Sequence, residues 1–147
     1  MISIQEQDFD LGQEYQALRE AADGDGAIVT FSGLVRDMSS QGRVSAIFLE
    51  HYPGMTEKAL MSICLQARER WPLGAVRIIH RIGRLDAAEQ IVFVGVTSQH
   101  RRAAFEAAEY LMDILKTRAP LWKKELTGSE QTWVDSKASD QTAANRW

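Results

Sequence analysis

The strongest constraint on the fold is the stretch around residues 94–124. The apolar run at residues 91–96 predicts a buried strand, and the long amphipathic pattern after it predicts a helix. We expect this helix to end around Arg118, because Pro120 cannot donate a hydrogen bond to the Lys116 carbonyl. A strand, a helix and a forced break therefore follow one another in the middle of the chain.

The predicted helix carries positive side chains at the end that should disfavour them. A helix N-terminus has a partial positive charge and prefers Asp or Glu, but here it carries His100, Arg101 and Arg102. An external anion, shared between free backbone N–H groups and the arginines, would relieve this conflict. The pattern predicts an anion-binding site at the start of the helix.

The remaining segments alternate between strand and helix patterns. We predict strands at residues 2–4, 27–33, 44–52, 76–82 and 90–97, and helices that begin after the N-caps Asp10 and Thr56. Residues 34–42 form a predicted polar loop, 83–86 a turn region, 121–126 with 132–134 a closing hairpin, and 138–147 a terminal helix. Paired strands between helices favour one α+β domain over residues 1–147, with helices packed on one face of the sheet.

Composition excludes several classes of protein. A net charge of −3 over 147 residues does not suit binding of nucleic acid or anionic membranes. No apolar run approaches the length of a membrane span and no signal-peptide pattern occurs, so we expect a cytoplasmic protein. Cys64 is the single cysteine and is expected to be a buried structural thiol. The three histidines lack ligand spacing, so no metal site is expected.

Two lysines are candidates for chemistry. Lys116 falls in the last turn of the predicted helix and Lys123 in the strand that follows. Both positions also have an ordinary explanation, because a lysine complements the helix dipole and adjacent lysines on a hairpin usually face solvent. Trp122 could shield the Lys123 ammonium from water and lower its pKa. Together with Arg36 and Arg101, these cations suit a small anionic substrate, and we expect a phosphate.

Five segments resemble one known family. They are residues 31–36 (FSGLVR), 49–55 (LEHYPGM), 80–83 (HRIG), 94–101 (VGVTSQHR) and 115–125 (LKTRAPLWKKE). In this order they resemble the large, catalytic subunit of molybdopterin synthase, and the similarity continues to the C-terminal Asn-Arg-Trp. Several long motifs in fixed order are far more specific than any one of them.

The resemblance implies a fold, a reaction and partners. The fold is of the α/β-hammerhead type, with a mixed or antiparallel sheet, packed helices and a small C-terminal β-hairpin. A homodimer forms the core of a heterotetramer, and each end binds a small ubiquitin-like sulfur-carrier subunit with a Gly-Gly thiocarboxylate tail. The family installs the dithiolene sulfurs on cyclic pyranopterin monophosphate in molybdenum cofactor biosynthesis. No cofactor or metal is implied.

The same resemblance assigns roles to residues. Lys116 and Lys123 take the positions of catalytic lysines. The substrate-binding positions, including those that line the same pocket after Lys123, are Arg36, His100, Arg101, Lys124 and Glu125. Lys137 stands where some relatives have arginine, and it would keep the charge without the bidentate fork if it reaches the neighbouring protomer's pocket.

The anion site and Lys116 lie at opposite ends of one helix. His100 and Lys116 are about 24 Å apart along it at 1.5 Å per residue, so one compact ligand cannot touch both. We therefore predict that the two ends meet across a dimer interface, where the anion site of one protomer serves the lysines of the other.

Two other functions fit these residues. A non-catalytic module that binds a phosphorylated ligand or a carrier protein would keep Arg36 and Arg101, but it would not need both lysines in one pocket. A lysine-based Schiff-base enzyme acting on a phosphorylated carbonyl compound would be trapped by borohydride. A nucleic-acid-binding protein is disfavoured because the chain is acidic overall.

Overall fold

Two four-stranded sheets, one two-stranded sheet and four helices make up the part of the fold that the structure describes. The computed structural model describes residues 1–39, 42–128, 130–135 and 137–147. The helices are α1 (Leu11–Ala21), α2 (Met55–Arg70), α3 (Arg101–Arg118) and α4 (Ala138–Asn145). The strands are β1 (Ile2–Gln5), β2 (Ala27–Leu34), β3 (Met38–Ser39), β4 (Gly42–Arg43), β5 (Ala46–His51), β6 (Leu73–Arg81), β7 (Gly83–Asp86), β8 (Gln90–Ser98), β9 (Leu121–Thr127) and β10 (Glu130–Val134).

These elements confirm the predicted α+β class and the closing hairpin. The predicted polar loop contains the short pair β3 and β4, while its central residues, Ser40 and Gln41, lie outside the described residues. Ser129 in the hairpin turn and Ser136 after β10 lie outside them too. No helix in the described part of the chain is long and apolar enough to cross a membrane.

The first sheet has the order β1-β6-β8-β2 and is covered by helices on both faces. Val94 on β8 packs with Leu111 of α3 and Leu60 of α2, whereas its neighbour Phe93 packs with Leu18 of α1 on the other face. The prediction that helices cover one face is therefore wrong. The continuous apolar run of β8 is the feature that indicates a strand buried on both sides.

The second sheet, in the order β10-β9-β5-β7, is antiparallel throughout. Ile47 and Leu49 of β5 form a small core with Leu85 and Val44. The predicted turn at residues 83–86 is wrong, because this segment is the edge strand β7, which pairs with β5 over four residues. A segment this short forms a strand because it pairs with a neighbouring strand, and it is too short to show a strand periodicity in its own sequence.

The ends of α3 match the prediction. His100 is the N-cap with extended backbone, and the helix stops at Arg118, after which the chain enters β9. In α2 the cap differs from the one predicted, because the N-cap is Gly54 rather than Thr56. The Glu57 carboxylate accepts a 2.7 Å hydrogen bond from the Gly54 N–H, which satisfies one of the free donors at the helix start.

The C-terminal residues are held against α3 by an aromatic cluster of Trp71, Tyr110 and Trp147. Ring centroids in this C-terminal aromatic cluster are 5.3–5.7 Å apart in edge-to-face geometry. The Trp147 indole N–H also donates a 2.7 Å hydrogen bond to the Asp113 carboxylate on α3. These contacts fix α4 and the segment before it, which forms one wall of the cavity described next.

Candidate active site

A cavity of about 540 Å³ lies where the two sheets meet the last turns of α3. Its apolar wall comes from β2, β5, β8 and α3. Its charged and polar lining comprises Ser32, Arg36, His80, Lys116, Lys123, Glu125, Asp135, Lys137 and Asp140. Cations from four separate segments thus meet in one space.

The local structure explains how the main cations reach the cavity. Arg36 follows the end of β2, and Lys116 lies in the last turn of α3. Because side chains alternate along a strand, Lys123 and Glu125 of β9 point to the same face, and both line the cavity. The carboxylate-bearing residue is the more enclosed of the two, since Glu125 is only 7% exposed.

The electrostatics of the site centre on Lys123. Burial lowers the pKa of its ammonium group, and the positive charges of Lys137, Lys116 and Arg36 lower the pKa further. The negative charge of the Glu125 carboxylate acts in the opposite direction and raises this pKa. The arrangement makes Lys123 a better proton donor than an ordinary lysine and leaves room for an anion.

The residues on either side of Lys123 point away from the cavity. The Lys124 ammonium lies 4.5 Å from the centroid of the Trp133 ring on the opposite face of β9, and Trp122 is 47% exposed. Lys124 therefore does not line this cavity, because of the same alternation that brings Lys123 inward, and its substrate-binding role stays a prediction. Trp122 does not line the cavity either, and the burial that lowers the Lys123 pKa is that of a residue on the cavity wall.

His100 and Arg101 do not line this cavity. Both side chains are exposed at the start of α3, and His100 makes no side-chain capping hydrogen bond there. Their separation from Lys116 within one chain follows from the length of α3. The predicted meeting of the two helix ends across a dimer interface stays a prediction, as do the substrate-binding roles of these residues.

Comparison with known proteins identifies the family. The family model described as MoaE protein matches residues 4–118. The chain belongs to the MoaE protein family. It is 57% identical over 146 residues to the molybdopterin synthase catalytic subunit of Vibrio cholerae, covering 99% of this chain and 97% of that one.

A second relative and a solved structure agree with this assignment. The molybdopterin synthase catalytic subunit of Escherichia coli is 56% identical, over the same shares of the two chains. The molybdopterin biosynthesis MoaE protein of Burkholderia ambifaria superposes with a TM-score of 0.86 at 49% identity, covering 100% of this chain and 97% of that chain. The predicted family and the predicted fold class are both confirmed.

Sequence reasoning did not assign His80 to the site. The side chain is 7% exposed, lines the cavity and places Nδ1 2.9 Å from the Arg81 carbonyl oxygen. The signal was present in the alternation of β6, which sets His80 on the same face as the core residue Ile78. In the described part of the chain, no three His, Cys, Asp or Glu side chains are close enough together to hold a metal ion.

Proposed function

We propose that this MoaE-family chain is the catalytic subunit of a cytoplasmic molybdopterin synthase. In this role it is a sulfurtransferase that moves sulfur from the thiocarboxylated C-terminus of a small carrier subunit to cyclic pyranopterin monophosphate. The observation that carries the proposal is the cavity in which the half-buried Lys123 lies among Arg36, Lys116 and Lys137. A cavity of this charge favours an anionic substrate and a lysine that exchanges protons.

The charge of the cavity is local. The chain as a whole carries a net charge of −3, so the cations of the cavity are concentrated rather than spread over the surface. The cyclic phosphate of the proposed substrate would be drawn to this field and fixed by Arg36, whose guanidinium can donate two parallel hydrogen bonds to phosphate oxygens. Lys137 supplies a further positive charge on the C-terminal wall.

The two lysines suit different parts of the reaction. When the thiocarboxylate sulfur bonds to an oxygen-bearing carbon of the pterin, that carbon loses its oxygen as water. A second water then cleaves the carrier's acyl C–S bond, so the carrier leaves as a carboxylate and the sulfur stays on the pterin. Lys116 would stabilise the oxyanion that develops at the carrier carbonyl. Lys123, whose pKa is lowered, would pass a proton to or from the pterin.

The carrier and a second protomer complete this proposal. A Gly-Gly tail has no side chains, so it can enter a cavity of about 540 Å³ beside a substrate. We assign His100 and Arg101 of the second protomer to the substrate anion, in a homodimer that binds one carrier at each end. A non-catalytic binding module is disfavoured because both lysines lie in the cavity, which such a module would not need.

The test is reconstitution of sulfur transfer. The chain is mixed with a thiocarboxylated carrier and cyclic pyranopterin monophosphate, and dithiolene product is measured in a single turnover. We expect product from the unsubstituted protein and a large loss of rate in Lys116→Ala and in Lys123→Ala. Lys58→Ala, which removes an exposed lysine on α2, is the matched control. Near-normal rates in both catalytic-lysine variants would refute the assigned roles.

A further inference from the structure

His80 is a buried polar residue of the cavity that the proposed chemistry does not use. It lies on β6, an interior strand of the first sheet between β1 and β8, and is 7% exposed. Polar side chains that are this fully buried normally form hydrogen bonds. The contacts of its two ring nitrogens show which bond is still open.

One nitrogen of the ring is committed to the backbone. His80 Nδ1 lies 2.9 Å from the Arg81 carbonyl oxygen, and a carbonyl can only accept, so Nδ1 carries the proton. In the neutral ring Nε2 is then an acceptor with a free lone pair. The backbone of β6 therefore fixes both the tautomer and the orientation of the ring.

The ring stays neutral in the cavity. Burial lowers the pKa of His80 to about 4, and the positive charge of Lys116 contributes in the same direction. A ring of this kind is a poor base near neutral pH but a competent hydrogen-bond acceptor. Such a ring is therefore suited to recognition rather than to proton transfer.

The acceptor nitrogen keeps contact with the cavity. Ser32 Oγ is the one fully enclosed side-chain polar atom without a hydrogen bond in the described residues. Among the described residues His80 Nε2 has no hydrogen-bond partner, it is not one of the fully enclosed atoms without a partner, and His80 lines the cavity. A group on a bound ligand can reach it.

The cavity offers both donors and acceptors. The side chains of Arg36, Lys116, Lys123 and Lys137 only donate. The acceptors are the carboxylates of Glu125, Asp135 and Asp140, the Ser32 hydroxyl and the His80 ring. A ligand that is anionic at one end and carries N–H groups at the other would match the donors with its anion and the acceptors with its N–H groups. Among these acceptors, His80 is the neutral ring that lies close enough to Lys116 to feel its charge.

We propose that His80 is a specificity-determining residue, whose Nε2 accepts a hydrogen bond from an N–H group of the ligand bound beside Lys116. This inference rests on the proposed function, since the reduced pterin ring of that substrate carries such N–H donors. In this arrangement the cations of the cavity recognise the phosphate of the ligand, and His80 recognises its heterocycle. Without a ligand donor, His80 Nε2 has no partner among the described residues of the cavity wall.

Two substitutions separate the roles of the two nitrogens. In His80→Gln the side-chain amide reaches the position of Nε2, so an acceptor remains but the bond to the Arg81 carbonyl is lost. In His80→Asn the amide reaches the position of Nδ1, so that bond remains and the acceptor is lost. Binding of cyclic pyranopterin monophosphate is measured by calorimetry with the full 147-residue chain, and unfolding by urea is measured in parallel.

The expected results run in opposite directions. His80→Asn should bind the pterin about tenfold more weakly while keeping most of its stability, and His80→Gln should bind within about threefold while losing stability. Inorganic phosphate, the control ligand, should bind equally to all three proteins because it needs donors only. Pterin binding that falls in parallel with stability, or equal binding by all three proteins, would overturn the inference alone. Absence of pterin binding by the unsubstituted protein would overturn the proposed function and this inference with it.

Discussion

Replacing Lys123 by methionine should stabilise the protein while removing activity. In the folded chain its ammonium is partly removed from water and is repelled by three neighbouring cations, which the Glu125 carboxylate offsets only in part. Methionine has a similar length, no charge, and suits a half-buried position. The gain in stability is the repulsion that this substitution removes.

The size of the cavity gives the distance from which the expected gain in stability can be calculated. A sphere of about 540 Å³ is about 10 Å across, which is the scale of the separation between charges on opposite walls. At that distance each repulsion is worth about 1.7 kcal/mol at an effective dielectric of about 20 and about 0.4 kcal/mol in water. Since the cavity is open to solvent and the Debye length is about 8 Å at physiological salt, we expect a net gain of about 1 kcal/mol.

Urea unfolding at low and high salt measures this gain. Lys123→Met should raise the free energy of unfolding by about 1 kcal/mol at low ionic strength, and by less in molar salt, where repulsion is screened. The matched control is Lys124→Met, on the opposite face of β9 and 4.5 Å from the Trp133 ring, which should lose about 0.5–1 kcal/mol. Equal destabilisation by both substitutions, or a gain that does not depend on salt, would refute the electrostatic argument.

The pH dependence gives a second check on Lys123. Its pKa in the folded chain is below the ordinary value of 10.5, so between these two values the unfolded chain binds more protons and the folded chain gains stability as pH rises. The electrostatic advantage of Lys123→Met should therefore be complete below the lowered pKa and should disappear as the pH approaches 10.5. A constant difference across this range would contradict the lowered pKa.

Two further predictions concern the assembly and the C-terminus. If the site is shared between protomers, mixing Arg101→Ala with Lys116→Ala chains and allowing exchange should restore about a quarter of the activity, because half of the dimers then hold one intact site of two; no recovery would place both residues in one protomer's site. Trp147→Ala should cost about 2–4 kcal/mol in urea unfolding, from two edge-to-face contacts and the hydrogen bond to Asp113. Trp147→Phe should lose only about 1 kcal/mol, and an equal loss in both variants would show that the ring contacts contribute nothing.

Local sequence signals predicted the parts of the fold that depend on residues close together along the chain. Pro120 set the end of α3, because a missing N–H and a steric clash act whatever the rest of the protein does. The strand patterns at residues 121–126 and 132–134 predicted the hairpin, and the pairing of β9 with β10 confirms it. The family followed from long motifs in a fixed order, and the relatives confirm it.

Features that depend on distant partners could not be predicted in the same way. The β7 segment is a strand only because β5 lies beside it, and α1 crosses to the far face of the first sheet because Phe93 points there. Lys124 and His80 show the same limit within the site. A motif shows that such residues occur together, but the direction of a strand's side chains decides which of them meet.

The alternation along β9 has a consequence for insertions and deletions in this hairpin. Lys123 faces the cavity and Lys124 faces Trp133, so a shift of one position would exchange two chemically identical side chains between very different surroundings. Six residue pairs with β5, from Ala46 opposite Leu126 to His51 opposite Leu121, hold the strand in place. A single-residue insertion between Pro120 and Lys123 would therefore leave a lysine in the cavity while misaligning Glu125, whereas an insertion of two residues would preserve the facing of every side chain.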